Sequence, residues 1–167
     1  GDSNTAVGTD ALKANTTAGE NTAVGYRSLT ANTTGGTNSA FGRGAMQTNT
    51  TGSRNVAVGT NALNANTTGP DNVAIGCGSL VDNTTGLENT AVGARSLPNN
   101  TTANYNTSIG KDSMFYNTTG NSNTAVGRKS LEDNTTANNN VAVGFAAGGN
   151  ITTGGGQTLV GTNAGCN

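Results

Sequence analysis

One stretch decides the fold, Asn21-Thr22-Ala23-Val24-Gly25-Tyr26-Arg27-Ser28-Leu29, because close copies of it return with a 17-residue period. The full unit reads [GA]-x-x-N-[TVS]-A-[VI]-G-x-x-[AS]-L-x-x-N-T-T and begins at Gly1, without insertion or deletion along the chain. The 167 residues make nine full units and a tenth that ends at its fourteenth position. We number the unit positions 1 to 17 and interpret residues 1–167 as a single repetitive domain.

The period excludes a helical solenoid, because two helices per repeat need more than about 30 residues. The segment Thr22-Ala23-Val24-Gly25 predicts a short strand closed by a turn glycine, and Ser28-Leu29 predicts a second one. The predicted fold is an all-β solenoid, or β-roll, of about ten 17-residue coils with Asn columns at positions 4 and 15 that form amide ladders. The predicted turn glycines occupy position 8: Gly8, Gly25, Gly42, Gly59, Gly76, Gly93, Gly110, Gly127, Gly144 and Gly161.

Charge placement supports this frame. All 17 charged residues fall at unit positions 2, 3, 9, 10, 13 or 14, and the remaining positions hold none. We expect each coil to bury about one Val and one Leu, worth roughly 1.5–3 kcal/mol each. Ordering 17 residues costs on the order of 1–2 kcal/mol each in backbone entropy. The small core therefore favours burial shared between chains.

Composition excludes several kinds of function. The chain has 10% charged residues, no His and a net charge of −1. A Ser-His-Asp triad is impossible, and the adjacent carboxylates of Glu132 and Asp133 fit a solvated rim better than acid–base chemistry. We expect no enzyme activity, metal or cofactor. Eight dispersed basic residues give no footprint for nucleic acid, and no apolar run reaches the ~20 residues that insert in a bilayer.

At these residues a family resemblance emerges. The stretch from Asn21 to Leu29 resembles the N-S-V-A-I-G-x-x-S-x-A unit of trimeric autotransporter adhesin heads. It is even more similar to the N-T-A-[VI]-G-x-x-[AS]-L repeats of tail-fibre-like proteins. The resemblance runs from Asn4 to about Gly161 and implies a left-handed, trimeric β-roll, extracellular or on a virion, without enzymatic activity. The adhesin-head unit is three residues shorter than this one, and the additional residues here lie around the Asn-Thr-Thr corner.

The sequence thus predicts a structural shaft of an extracellular or cell-surface fibre or adhesive filament. The alternative is a phage or viral tail-fibre shaft that carries a receptor-binding tip, and a second alternative is an ice- or glycan-binding solenoid. The expected partner is the chain itself, as a homotrimer or an end-to-end filament, with cell-surface glycans or a receptor as further candidates. Gly1 opens in phase without a cap, which fits either a segment of a longer fibre or a subunit that joins neighbours end to end.

The Asn-Thr-Thr corners match the N-glycosylation sequon, and Asn150-Ile151-Thr152 preserves it where the asparagine has moved by one position. We favour an inward Asn ladder over a glycan-coated fibre. The threonine columns could form an ice-binding array, but adjacent threonines of a strand face opposite sides. The candidate glycosylation sites are Asn15, Asn32, Asn49, Asn66, Asn83, Asn100, Asn117, Asn134 and Asn150.

Two further groups are candidates for contacts between molecules. Cys77 and Cys166 lie about five coils apart, which at ~4.8 Å per coil is too far for a bridge within one chain. Cys166 is the candidate for a disulfide between chains. The run Met114-Phe115-Tyr116 predicts an exposed apolar patch, which either fills a groove between chains or binds a receptor.

Overall fold

The computed structural model describes residues 1–166 and shows a parallel β-solenoid of about nine turns, with no helix among those residues. Neighbouring strands pair in register one repeat apart, as in Thr22↔Ser39, and follow chain order in one ten-stranded sheet. The predicted all-β solenoid is confirmed; Asn167, the last residue of the tenth coil, lies outside the described residues. The strands are β1 (Thr5–Val7), β2 (Thr22–Val24), β3 (Ser39–Phe41), β4 (Val56–Val58), β5 (Val73–Ile75), β6 (Thr90–Val92), β7 (Thr107–Ile109), β8 (Thr124–Val126), β9 (Val141–Val143) and β10 (Thr158–Val160).

The core is a stack of small and medium side chains. Each three-residue strand alternates its side chains, so position 6 points inward and positions 5 and 7 point outward. Ala57 of β4 is fully buried, and Leu63 at position 12 of the same coil packs in the same core. The expectation that the valine at position 7 is buried is wrong, because this valine shares the outward face of the strand. Val58, for example, is 38% exposed.

The predicted second strand at Ser28-Leu29 is also wrong. Leu29 has φ = 49°, in the left-handed region, and the segment is a turn. Its amide still reaches the next coil, where it donates to the carbonyl of Ala45 at 3.0 Å. The same conformation, with φ between 46° and 52°, recurs at every Leu or Met of position 12. The leucine side chain enters the core from a turn rather than from a strand.

The glycines of position 8 follow each strand with φ between 127° and 139°. A Cβ on Gly59 would lie 2.7 Å from the carbonyl carbon and oxygen of Gly76 in the next coil. Position 8 therefore needs glycine twice over, for its backbone conformation and for the close stacking of coils.

The predicted Asn ladders are confirmed and meet at one carbonyl per coil. Asn66, at position 15, donates from Nδ2 to Asn49 Oδ1 at 2.8 Å and to the Gly69 carbonyl at 2.9 Å. Asn55, at position 4, donates from Nδ2 to the same Gly69 carbonyl at 3.0 Å, and its backbone N–H donates to Asn38 Oδ1 at 2.9 Å. Two buried amide columns thus bond along the rod and satisfy the carbonyl at each corner.

The core changes its construction in the last two coils. Position 12 is glycine in both coils, as Gly148 in the ninth and Gly165 in the tenth. Position 6 of the tenth coil is Leu159, where most coils have alanine. A Cβ on Gly165 would lie 2.9 Å from Leu159 Cδ2, and one on Gly148 would lie 3.0 Å from Leu159 Cδ1. Leu159 therefore fills from the strand side the space that the position-12 leucines fill elsewhere.

Candidate interaction surfaces

One continuous accessible feature of the solenoid is the outer face of the ten-stranded sheet, which we call the sheet face and define as positions 5 and 7 of every coil. Position 5 carries Thr, Ser or Val, and position 7 carries Val, Ile or Phe. None of these positions holds a charged residue. In-register pairing aligns both positions into straight columns along the rod. The sheet face is therefore long, periodic and uncharged.

Much of the apolar surface on this face is open to solvent. Val58 and Ile75, in the middle of the rod, are 38% and 39% exposed. At 1.5–3 kcal/mol for full burial, each such side chain still has roughly 1 kcal/mol to gain from being covered. Seven position-7 residues are at least 37% exposed, so their column offers on the order of 5–10 kcal/mol per chain. These seven are Val7, Phe41, Val58, Ile75, Ile109, Val143 and Val160.

A second feature is a cleft of about 280 Å³ on coils six to eight, away from the sheet face. Stacking places Arg95, Asp112 and Lys129 in one column at position 10. Arg95 Nη2 lies 2.8 Å from Asp112 Oδ1, and Lys129 Nζ lies 3.0 Å from Glu132 Oε1. Two ion pairs thus contribute to the lining of the cleft. Its lining residues are Arg95, Asp112, Phe115, Tyr116, Lys129 and Glu132.

Two of the three residues of the predicted contact patch line this cleft, and the third is buried. Met114 is fully buried in the core column at position 12 and cannot contact a partner. Phe115 and Tyr116 lie at positions 13 and 14, where their rings meet edge to face with centroids 4.9 Å apart. Tyr116 is 51% exposed, and the Arg95 guanidinium lies 5.4 Å from the Phe115 ring centroid. The accessible patch therefore consists of two aromatic rings beside charged groups.

The sequon asparagines are placed unfavourably for a glycan. In the middle coils they are fully buried, and both hydrogens of Nδ2, the atom that would carry the sugar, are donated within the ladder. The buried sites are Asn32, Asn49, Asn66, Asn83, Asn100, Asn117 and Asn134. Asn15 is half-buried and Asn150 is exposed. The glycan-coated fibre is therefore incompatible with the folded coil at the seven buried sites, and the inward ladder accounts for them.

The first threonine of each Asn-Thr-Thr corner also bonds within the rod. Thr50 Oγ1 donates to the Thr67 carbonyl at 2.9 Å, and Thr67 Oγ1 donates to the Thr84 carbonyl at 3.0 Å. These hydroxyls bond to the next coil rather than pointing to solvent, which disfavours the column of first threonines as an ice-binding array. The second threonines of the corners, such as Thr51 and Thr68, are exposed.

Both cysteines are free thiols. Cys77 is exposed at position 9, and Cys166 is half-buried, with its Sγ 2.9 Å from the Ala146 carbonyl. A disulfide between chains at Cys166 stays a prediction.

Across residues 1–166, no helix is long and apolar enough to cross a membrane. The same residues contain no group of three or more side chains arranged to hold a metal ion. A hydrogen bond from Arg54 lowers the pKa of Asp71 below its ordinary 3.8. This pair lies on the surface at position 3, with Nη2 and Oδ2 2.6 Å apart.

Comparison with known proteins finds no matching family, no similar curated protein and no similar solved structure. Sequence reasoning missed the sheet face, because it counted the position-7 valines as core. The alternation of T-A-V could have revealed it, since alanine is the constant residue of that triplet and the constant residue of a narrow core is the small one.

Proposed function

We propose that the chain is a non-catalytic, rigid shaft of an extracellular fibre or adhesive filament, assembled from several copies through the sheet face. The observation that carries this proposal is the uncharged apolar column of position 7, which continues through all ten strands. An apolar strip of this length is unusual on a soluble monomer and is typical of an interaction surface. A second copy is the partner that fits best, because it offers the same column with the same period.

Rigidity follows from the way the coils are joined. Each coil bonds to the next through strand pairing, Asn side chains and threonine hydroxyls, so bending the rod strains three kinds of contact at once. Shared burial of the sheet faces adds to the small alanine–leucine core of each chain. The family resemblance favours three chains, and we place their sheet faces toward the shared axis.

The test replaces two well-separated residues of the sheet face by aspartate, as Val58→Asp with Ile109→Asp, and measures the mass by light scattering. Both side chains are exposed in one chain, so the substitutions should leave the coil intact while placing unpaired charges in the interface. We expect the wild type to be oligomeric and the variant to have the mass of a single chain with an unchanged circular dichroism spectrum.

The matched control is Thr68→Asp, an exposed position at the corner of the same rod, and it should keep the wild-type mass. A wild type with the mass of one chain contradicts the proposal. So does a double variant that assembles like the control.

A further inference from the structure

The two edges of the sheet face carry charges of opposite sign. Position 3, two residues before the sheet face begins, has three acids and one base, whereas position 9, two residues after it ends, has three bases and no acid. Because the coils stack in register, each position forms a column along one edge, and we call these columns the acidic flank and the basic flank. Their charged residues are Glu20, Arg54, Asp71 and Glu88 on the acidic flank and Arg43, Lys111 and Arg128 on the basic flank.

Two carboxylates of the acidic flank have no cation beside them in the chain. Arg54 and Asp71 pair with each other, with Nη2 and Oδ2 2.6 Å apart. Glu20 and Glu88 are exposed, and within residues 1–166 neither takes part in an ion pair. The acidic flank therefore presents two negative charges that solvent or a second molecule must neutralise.

The basic flank presents cations in the same way. Arg43 and Arg128 are exposed and belong to no ion pair among the described residues, and the Arg128 guanidinium lies 5.4 Å from the Phe145 ring centroid. Lys111 Nζ lies 3.8 Å from a carboxylate oxygen of Asp112, a loose contact on a side chain that is 58% exposed. The charged residues of position 10, next to this flank, pair with one another or with Glu132. The unpaired positive charge is thus concentrated at position 9.

The spacing of the free charges agrees between the two flanks. Glu20 and Glu88 lie in coils two and six, and Arg43 and Lys111 lie in coils three and seven, so both pairs are four coils apart. Beside a second copy with its coils level, each carboxylate lies about one coil, ~4.8 Å, from the level of a cation. The long side chains of arginine and lysine span that difference. One arrangement of the copies therefore gives both carboxylates a partner.

We propose that the acidic flank of each copy pairs with the basic flank of its neighbour, Glu20 with Arg43 and Glu88 with Lys111, and that this pairing makes the chains run in the same direction. Copies that run in the same direction, related by an axis along the rod, bring unlike flanks together when their sheet faces meet. Copies that run in opposite directions bring like flanks together, which is repulsive. The inference rests on the proposed assembly through the sheet face: the apolar column supplies the affinity, and the flanks select the direction.

The first experiment detects the contact between Glu88 and Lys111. A water-soluble carbodiimide joins a carboxylate to a lysine amine where the two groups touch, and the amide bond that forms is found by mass spectrometry. We expect bands of more than one chain on a denaturing gel, and these bands should contain the Glu88–Lys111 peptide. The matched control is Lys111→Arg, which keeps the charge but has no amine to couple. It should lose this crosslink and keep the wild-type mass in solution.

The second experiment exchanges the charges of the flanks. Arg43→Glu with Lys111→Glu makes both flanks acidic, so the dissociation constant of the assembly at low salt should rise about tenfold or more. Adding Glu20→Arg with Glu88→Arg exchanges the two signs and should return the constant to near the wild-type value. A control with the same net charge as the first variant places four acids at exposed corner positions, and it should assemble more tightly than that variant. Its substitutions are Thr34→Glu, Thr68→Glu, Thr102→Glu and Thr136→Glu.

An assembled wild type without the Glu88–Lys111 crosslink overturns the proposal, as does a flank variant that assembles as tightly as the corner control. A four-site exchange that stays as weak as the two-site variant overturns it as well. The sheet-face variant, Val58→Asp with Ile109→Asp, separates this proposal from the shaft. Loss of assembly in the sheet-face variant alone keeps the shaft and overturns the pairing of flanks, whereas a wild type with the mass of one chain contradicts both.

Discussion

Replacing Gly59 by alanine tests why position 8 is always glycine. Gly59 has φ = 134°, a conformation that side-chain-bearing residues rarely adopt and that costs about 1–3 kcal/mol. The new Cβ would also lie 2.7 Å from the Gly76 carbonyl and 3.2 Å from the Cys77 amide nitrogen. Since both neighbours are backbone, the coils must separate locally, and such overpacking costs about 1–3 kcal/mol more. The lower entropy of the unfolded alanine chain offsets about 0.4–1 kcal/mol of these two costs, so we expect a net loss of about 3 kcal/mol in the free energy of unfolding.

Gly78→Ala is the matched control, at position 10 of the adjacent coil. Its φ is 63°, which alanine tolerates at about 1–2 kcal/mol, and the nearest atom to a new Cβ is Arg95 Cγ at 3.9 Å. The lower entropy of the unfolded alanine chain returns about 0.4–1 kcal/mol, so the net change should stay near 1 kcal/mol. Urea unfolding followed by circular dichroism measures both variants. Equal losses for Gly59→Ala and Gly78→Ala would refute the explanation from coil stacking.

Three further predictions concern the ladders, the surface and the last coils. Asn66→Ala removes two donated hydrogen bonds and the acceptor of Asn83 Nδ2, so the free energy of unfolding should fall by about 3–5 kcal/mol. The control Asn150→Ala, at an exposed asparagine, should change it by less than about 0.5 kcal/mol. Equal effects of the two substitutions in urea unfolding would contradict the ladder. Arg54→Gln should lower the melting temperature slightly at pH 7. This difference from the wild type should vanish as the pH falls below 3.8 and through the lowered pKa of Asp71, because the ion pair stabilises the fold only while the carboxylate is ionised. A difference in melting temperature that persists in acid would contradict this assignment. Leu159→Ala should lower the free energy of unfolding by about 2–3 kcal/mol. Adding Gly165→Leu should recover part of this loss, because it restores the consensus leucine of position 12 in the core. An unchanged or larger loss in the double variant would contradict the exchange of core positions.

The 17-residue period was enough to predict the solenoid, the in-register stacking and the Asn columns. A strict period forces equivalent residues into columns, and buried amides in columns bond to each other. The turn at position 12 could not be predicted in the same way. A leucine at φ near 50° violates its own backbone preference, and only the packing of the whole coil maintains it there.

The candidate interaction surfaces were harder to predict from the sequence than the fold. The valines of position 7 are apolar and periodic, and without coordinates they cannot be told from core residues by hydrophobicity alone. Met114 and Tyr116 are two residues apart, yet one is fully buried and the other is 51% exposed. The cleft joins residues from three coils, so its geometry depends on the stacking of Arg95, Asp112 and Lys129. Only the solenoid brings those three together.

The most direct test of the central proposal is the mass of the wild-type chain in solution, measured by native mass spectrometry over a series of dilutions. Covering the sheet face with two further copies predicts a species with three times the 16.4 kDa mass of one chain. A species of 16.4 kDa at all micromolar concentrations would contradict the shared burial of the sheet face. A stable pair of chains would contradict the trimer.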